Sequence, residues 1–260
     1  MKQYTDILIR LPLICLSLIL LIPIGLYAHE IEGGFQKGNQ AYKDGKFDDA
    51  ISHYTTLVVQ GYESFELYYN LANAHYKLGH IAPSILYYEK ALKIEPSNAD
   101  AQFNLKLANL KVVDKIPQKP VFVLSKWWNS IISSKSSDQW ATWAIILIWF
   151  AAAFGGLFLY SETSRMKRIL FFSGIPLVFL SVCILLLSIQ KRSIEHTDSY
   201  GIIYSTNTYI KSAPEQDAKD LFMLHEGGKV KIREQLDEWT QIELPDGKVG
   251  WMSSKALKGI

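Results

Sequence analysis

The sequence predicts a multidomain membrane protein: an α-helical repeat array, then two transmembrane helices, then a small all-β barrel. Three observations predict it. Residues recur at a spacing of 34 between Asn39 and Tyr88. Two uncharged, strongly apolar stretches cover residues 139–161 and 169–190. Beyond Gly201 the texture changes to short β-like runs separated by polar turns.

The beginning of the chain reads as an export signal. Lys2 and Arg10 supply a positive start, residues 11–27 an apolar core, and Ala28 an end. Residues 1–28 are therefore expected to be a signal peptide or, if uncleaved, an anchor. Leu26 stands where a small residue is usual for cleavage, which keeps the second option open.

The repeat follows. Asn39/Asn73, Tyr42/Tyr76, Lys43/Lys77, Gly45/Gly79, Ile51/Ile85 and Tyr54/Tyr88 all pair at 34. Small residues at Gly38/Ala72 and Ala50/Ser84 let paired helices approach, while Tyr54/Tyr88 and Leu57/Ala91 fill the seam. Gly45 and Gly79 are placed to stop a helix with positive φ. Asp48 and Asp49 favour the start of the next helix, and Pro83 is tolerated in a first turn. This pattern resembles the tetratricopeptide repeat, a helix–turn–helix of that length. It places repeat 1 at 31–64, repeat 2 at 65–98 and a capping partial third repeat at 99–113.

Gln36, Asn70 and Asn104 occupy one position of successive first helices, and Asn39 and Asn73 another. The resemblance puts both positions on the concave face. Amides there either pair with the backbone of an extended peptide or simply serve the scaffold. The carboxylate-clamp variety of such grooves also needs cations. Phe35, Asp100 and Asn104 stand at those places here, so acidic C-termini are not expected ligands.

Residues 116–138 form a connector. After the proline-marked break at 116–120, Leu124, Trp127, Trp128, Ile131 and Ile132 share one helical face. Such a helix lies in a membrane interface or packs on the array as an extra cap. Residues 140–160 and 169–189 are each long enough to span a bilayer. Trp140, Trp143, Trp149 and Tyr160 suit interfacial depths, and Pro176 should kink the second span. The short link at 161–168 carries Arg165, Lys167 and Arg168 against Glu162, so it is expected to stay cytoplasmic. Both soluble regions then lie on the periplasmic side of an inner membrane.

The charge distribution agrees. Residues 29–115 carry 9 Lys against 11 acidic groups, and residues 198–260 carry 8 basic against 10 acidic groups. The basic excess thus sits beside the apolar stretches, which argues against nucleic-acid binding. Cys15 and Cys183 both fall within apolar stretches, which leaves no disulfide framework or thiol nucleophile in either soluble region. The six histidines make no His-x-x-x-His pair, and no phosphate loop or nucleophile elbow occurs. No enzyme activity, metal or cofactor is expected.

Residues 198–260 are expected to be five or six short strands closing a small barrel. The runs "YIKSAP", "LHEGGKVKI" and "EWTQIELPDGKVGWMSSKAL", with Trp239 and Trp251 in the last, resemble the bacterial SH3-like (SH3b) family. Pro245, Asp246 and Gly247 read as a hairpin turn. Tyr209, Trp239 and Trp251 either line a shallow groove or complete the core.

The whole order resembles the BatE-type proteins of the Bacteroides aerotolerance (Bat) operons. The segments carrying that resemblance are "AQFNLKLANLKVVDKIP", "SKWWNSI" and "DLFMLHEGGKVKIREQLDEWTQIELPDGKVGWM". It implies a membrane-anchored periplasmic scaffold with von Willebrand A-domain Bat proteins as partners and a part in aerotolerance or envelope stress. The rival expectation is a tether or sensor that binds peptidoglycan through the barrel.

Overall fold

A computed structural model describes residues 32–117, 119–120, 122–197 and 199–260. The expected signal segment at 1–28 lies outside the described residues. The chain divides into two compact units between Gly79 and His80.

The first unit contains helix α1 (residues 32–43), α2 (Phe47–Val59) and α3 (Phe65–Lys77). Gly45 ends α1 with φ +75°, a conformation in which a side chain would be strained. Lys46 N–H then returns to the Ala41 carbonyl at 2.9 Å. Asp48 and Asp49 occupy the first turn of α2, where carboxylates complement the helix dipole. Ser64 caps α3, accepting from Leu67 N–H at 3.1 Å. The core holds Ala50, Tyr54, Leu57, Leu71 and Ala72. Gly38 is a close-approach site: a Cβ there would strike the Tyr54 ring.

The second unit begins with α4 (Ile81–Ile94) and α5 (Ala99–Leu110), which pack together. Pro83 sits in the first turn of α4, and Asn98 caps α5 by accepting from Ala101 N–H at 3.1 Å. Helix α6 (Val123–Ser133) buries only Ile132 and leaves Leu124, Trp127 and Trp128 exposed. It packs against α8, and Trp140 Nε1 donates to the Ile132 carbonyl at 3.3 Å.

Helices α7 (Ser137–Tyr160) and α8 (Ser164–Thr197) form the most extensive helix pair. Both are long and apolar enough to cross a membrane, and most of their side chains face outward. Three hydroxyls tie them. Ser181 donates to the Ala144 carbonyl at 2.9 Å, Ser188 to the Ser137 carbonyl at 2.9 Å, and Ser137 to the Glu195 carboxylate at 2.6 Å. Two bounds differ from expectation. The link expected at 161–168 shrinks to residues 161–163, because Thr163 accepts from Lys167 N–H and the basic cluster winds into α8. The second helix also runs to Thr197, well past residue 189, with Lys191 and Glu195 paired at i,i+4. Pro176 lies inside α8 without ending it.

The C-terminal module is one antiparallel sheet of seven strands rather than five or six. They are β1 (Ser199–Ile203), β2 (Asn207–Lys211), β3 (Asp220–His225), β4 (Lys229–Leu236), β5 (Trp239–Glu243), β6 (Val249–Ser253) and β7 (Leu257–Gly259). Their order is β3-β2-β6-β5-β4-β1-β7. The extra strand, β7, is a three-residue return against β1, too short to show a period of two. Residues Ile203, Ile210, Val230, Ile242 and Met252 form the core with Leu224 and Leu257. The Pro245–Asp246–Gly247 turn closes with Gly247 N–H on the Leu244 carbonyl at 2.8 Å, and Gly247 has φ +87°.

Candidate functional site

Two places concentrate polar and aromatic groups without serving the core alone. The first lies between α1 and α3. Asn39 Oδ1 accepts from Tyr54 Oη at 2.7 Å and from Asn70 Nδ2 at 3.0 Å. Tyr54 is fully buried, so this bond satisfies a hydroxyl that has lost water. Burial and the nearby Tyr42 ring push the Tyr54 phenol up to about 12, against a weaker opposing bond from Asn70. Asn39 and Asn70 are therefore joined as a brace between helices, which is a structural duty. Gln36 is exposed and donates to Glu32 at 3.3 Å one turn earlier. Asn73 is half-buried on α3, and Asn104 is half-buried on α5 in the other unit.

Around the brace stand aromatic rings that repeat with the same spacing. Phe35/Tyr69 and Tyr42/Tyr76 are each 34 residues apart, and all four are half-buried. Phe35 tilts against Tyr54 at 5.9 Å between centroids, Tyr42 packs edge-on to Phe47 at 5.2 Å, and Tyr69 stacks on Phe65 at 5.5 Å. Burial, then the neighbouring Tyr69, raises the Tyr42 pKa above its ordinary value. The signal for these rings was in the sequence. Phe35/Tyr69 belongs to the same register as the matched pairs.

The second place is the outer face of the sheet. In β5 the buried residues are Thr240 and Ile242, which leaves Trp239 and Gln241 on the opposite face. In β6, Gly250 and Met252 point inward while Trp251 and Ser253 point out. Register then fixes the neighbours. Trp239 pairs with Ser253, Gln241 with Trp251, and Trp251 with Lys211. Tyr209, two residues before Lys211 on β2, takes the place beside Ser253. The result is a row Tyr209–Ser253–Trp239 next to a row Lys211–Trp251–Gln241.

A cleft of about 500 Å³ opens over the first row, with Asn207, Gln216 and Lys255 also at its wall. Tyr209 is 57% exposed, and Trp239 is half-buried. Lys211 is held by Asp220 at 2.9 Å and Lys255 by Glu238 at 3.1 Å, so cations and carboxylates at the rim are already paired. Two of the three expected groove aromatics thus share one cleft. Trp251 lies on the same face, one row away. Neither tryptophan belongs to the core cluster. Chemically the cleft offers two aromatic walls and a hydroxyl floor, a surface for stacking and hydrogen bonding. Among the described residues there is no cluster of three or more His, Cys, Asp or Glu side chains placed to hold a metal.

Comparison with known proteins agrees with the two modules. Residues 65–98 match the tetratricopeptide repeat model, and residues 206–258 match the bacterial SH3 domain model. The chain therefore carries a tetratricopeptide repeat within a helical array and a bacterial SH3 domain, modules that point to protein or peptidoglycan binding. Over 73 residues it is 36% identical to sperm-associated antigen 1 of Rattus norvegicus, which covers 28% of this chain and 8% of that protein. The chain thus spans less than a tenth of the length of that curated relative. Among solved structures it resembles MamA, with 17% identity, 64% of this chain and 80% of that one covered, and a TM-score of 0.30. It also resembles an NlpC/P60 family protein from Bacillus cereus ATCC 10987, with 11% identity, 27% and 23% coverage, and a TM-score of 0.21.

Proposed function

We propose that this chain is a membrane-anchored scaffold of the BatE type: its repeat and SH3 modules stand in the periplasm and recruit protein partners to a Bat-type aerotolerance or envelope-stress complex. Helices α7 and α8 form the anchor, and the basic turn between them stays in the cytoplasm. The partners are membrane proteins with von Willebrand A domains, and the scaffold has no catalytic role. One observation carries this reading: the face between α1 and α3 repeats its aromatic pairs at the period of the fold. A ligand laid along that face meets an aromatic ring at each repeat, so a peptide with apolar side chains is the fitting class. A photo-crosslinking residue at Gln36 or Asn73 should trap one membrane partner in native membranes. Recovery of no protein partner from either position would overturn it. Labelling of single cysteines at Ser64 and Ser253 by an impermeant maleimide in spheroplasts tests the sidedness, and protection of both would refute it.

A second reading is favoured by the Tyr209–Ser253–Trp239 cleft. Facing aromatics over a hydroxyl suit a sugar or peptide of the cell wall, which would make the chain a peptidoglycan tether or sensor. The protein in detergent should then sediment with purified peptidoglycan, and Trp239→Ala should release it. Equal sedimentation of the variant would exclude the cleft.

A further inference from the structure

Another face of the SH3 module is occupied, and its occupant is the chain itself. Between α5 and α6, Asp114, Ile116 and Lys119 meet the sheet. Asp114 places one carboxylate oxygen on the His225 backbone N–H at 2.6 Å and the other on His225 Nδ1 at 2.9 Å. Ile116, two residues on, packs against the sheet's core cluster. Lys119 donates its backbone N–H to the Pro245 carbonyl at 3.1 Å and reaches Glu243 with its ammonium at 3.5 Å. Its side chain crosses Gly247 so closely that a Cβ there would collide with it.

Helix α4 adds to the same contact. Glu89 pairs with Lys229 at 2.7 Å, and Lys93 donates to the Ile260 carbonyl at 3.3 Å. Gly227, at the β3–β4 turn with φ +87°, meets Val112 and Ile85, where a Cβ would come within 3.0 Å and 3.4 Å. Carboxylate to backbone and imidazole, aliphatic side chain to core, backbone to backbone and lysine to carboxylate make four different kinds of recognition along one extended stretch. Surface ion pairs alone would contribute little. The insertion of Ile116 and the two bonds of Asp114 are the specific part.

We infer that Val112, Asp114, Ile116 and Lys119 are an internal ligand of the SH3 module, and that the module clasps the end of the repeat array in cis. The Tyr209–Trp239 cleft takes no part in this contact and remains available to a second ligand. The clasp also constrains topology. Its two halves flank α7 and α8 in sequence, so they meet only if those helices cross a membrane both times or not at all. That last step rests on the membrane reading above, whereas the clasp itself does not.

The test uses the full chain in mild detergent with Cys15→Ser and Cys183→Ser. Glu89→Cys with Lys229→Cys, treated with a short bismaleimide, should crosslink within one chain at a rate independent of protein concentration. Asp114→Ala should slow the crosslink about tenfold or more, since an intramolecular contact acts at millimolar effective concentration. Ile116→Asp should do the same. Where Ile116→Asp unfolds the sheet, shown by lost exchange protection in β5 and β6, Lys119→Glu is the second variant. It leaves the core untouched and should still slow the reaction. A synthetic peptide of residues 110–120 should compete. Unchanged rates in Asp114→Ala and Lys119→Glu, or a rate that rises with concentration, would overturn the inference. Either result is separable from failure of the membrane reading, which the maleimide labelling of Ser64 and Ser253 decides.

Discussion

Asn39→Ala should loosen the first unit through one hydroxyl. The asparagine oxygen holds Tyr54 Oη at 2.7 Å and Asn70 Nδ2 at 3.0 Å. Removing it takes away the acceptor of the Tyr54 hydroxyl inside the core, where Tyr54 has no exposed surface and keeps only the weaker bond from Asn70. An orphaned buried donor costs about 1–3 kcal/mol. Asn70 is only half-buried and regains water, so it adds little. Alanine is the better helix former by roughly 0.5 kcal/mol, which offsets part of the loss. The expected net effect is about 0.5–2.5 kcal/mol, or roughly a 2- to 70-fold loss of amide protection in α1–α3. Native-state hydrogen exchange of the full chain measures this unit by itself. The propensity gain complicates a single variant, so the cycle with Tyr54→Phe is decisive. In that background no hydroxyl is left to strand, and Asn39→Ala should cost about 1 kcal/mol less or more than recover its loss. If Asn39→Ala costs the same with Phe at 54 as with Tyr, the brace is not what holds α1 to α3.

Gly38→Val should destabilise the same unit by about 1–3 kcal/mol, because its side chain must displace the Tyr54 ring; unchanged exchange protection would count against that packing. Alkaline pH should weaken the unit in a defined window. The unfolded Tyr54 ionises near its ordinary value of 10.0, whereas the folded one keeps its proton to about 12. Stability is therefore intact below the lower value and falls through the upper one, by about tenfold in the folding constant per pH unit between them. Melting curves followed by circular dichroism should show that slope, and Tyr54→Phe should flatten it. Tyr204, half-buried near Tyr87, should also ionise well above the ordinary phenol range in an absorbance titration. On the sheet, Tyr209→Ala should weaken wall-fragment binding by about 1–3 kcal/mol per lost stacking contact while leaving the sheet's exchange protection intact. Ser181→Ala should reduce the resistance of the α7–α8 hairpin to unfolding by about 0.6 kcal/mol, the ordinary worth of such a bond between apolar helices.

How much of this was legible depended on how local each feature is. Gly45, Gly79, Asp48 and Pro83 act within a turn, and their places followed from spacing alone. The amide positions were visible, but their purpose was not, since pairing Asn39 with Asn70 requires two helices 31 residues apart to meet. Residues 116–120 read as a proline break. That Ile116 enters a core more than 80 residues downstream leaves no periodic trace. The extent of α8 beyond the apolar span has another cause. Hydropathy marks where apolar residues stop, whereas the helix continues through Lys191 and Glu195, which satisfy each other on its surface.

The outward tryptophans illustrate how a sheet decides between packing and binding. A strand's side chains alternate with a period of two, so one face of β5 and β6 is committed once the other is buried. Thr240, Ile242 and Met252 are at most 3% exposed, and Gly250 lies so close to Ile210 that a Cβ there would clash. A slip of one residue would bring Trp239 and Trp251 inward, where that close approach leaves no room for an indole. The rings are therefore outside because the core excludes them. An indole and a phenol left on one open face, with Ser253 between them, are apolar surface that the fold does not use. Such surface is kept at a cost in solubility unless something covers it. That is why the cleft, more than any titratable group in the chain, is where a ligand of the SH3 module should be sought.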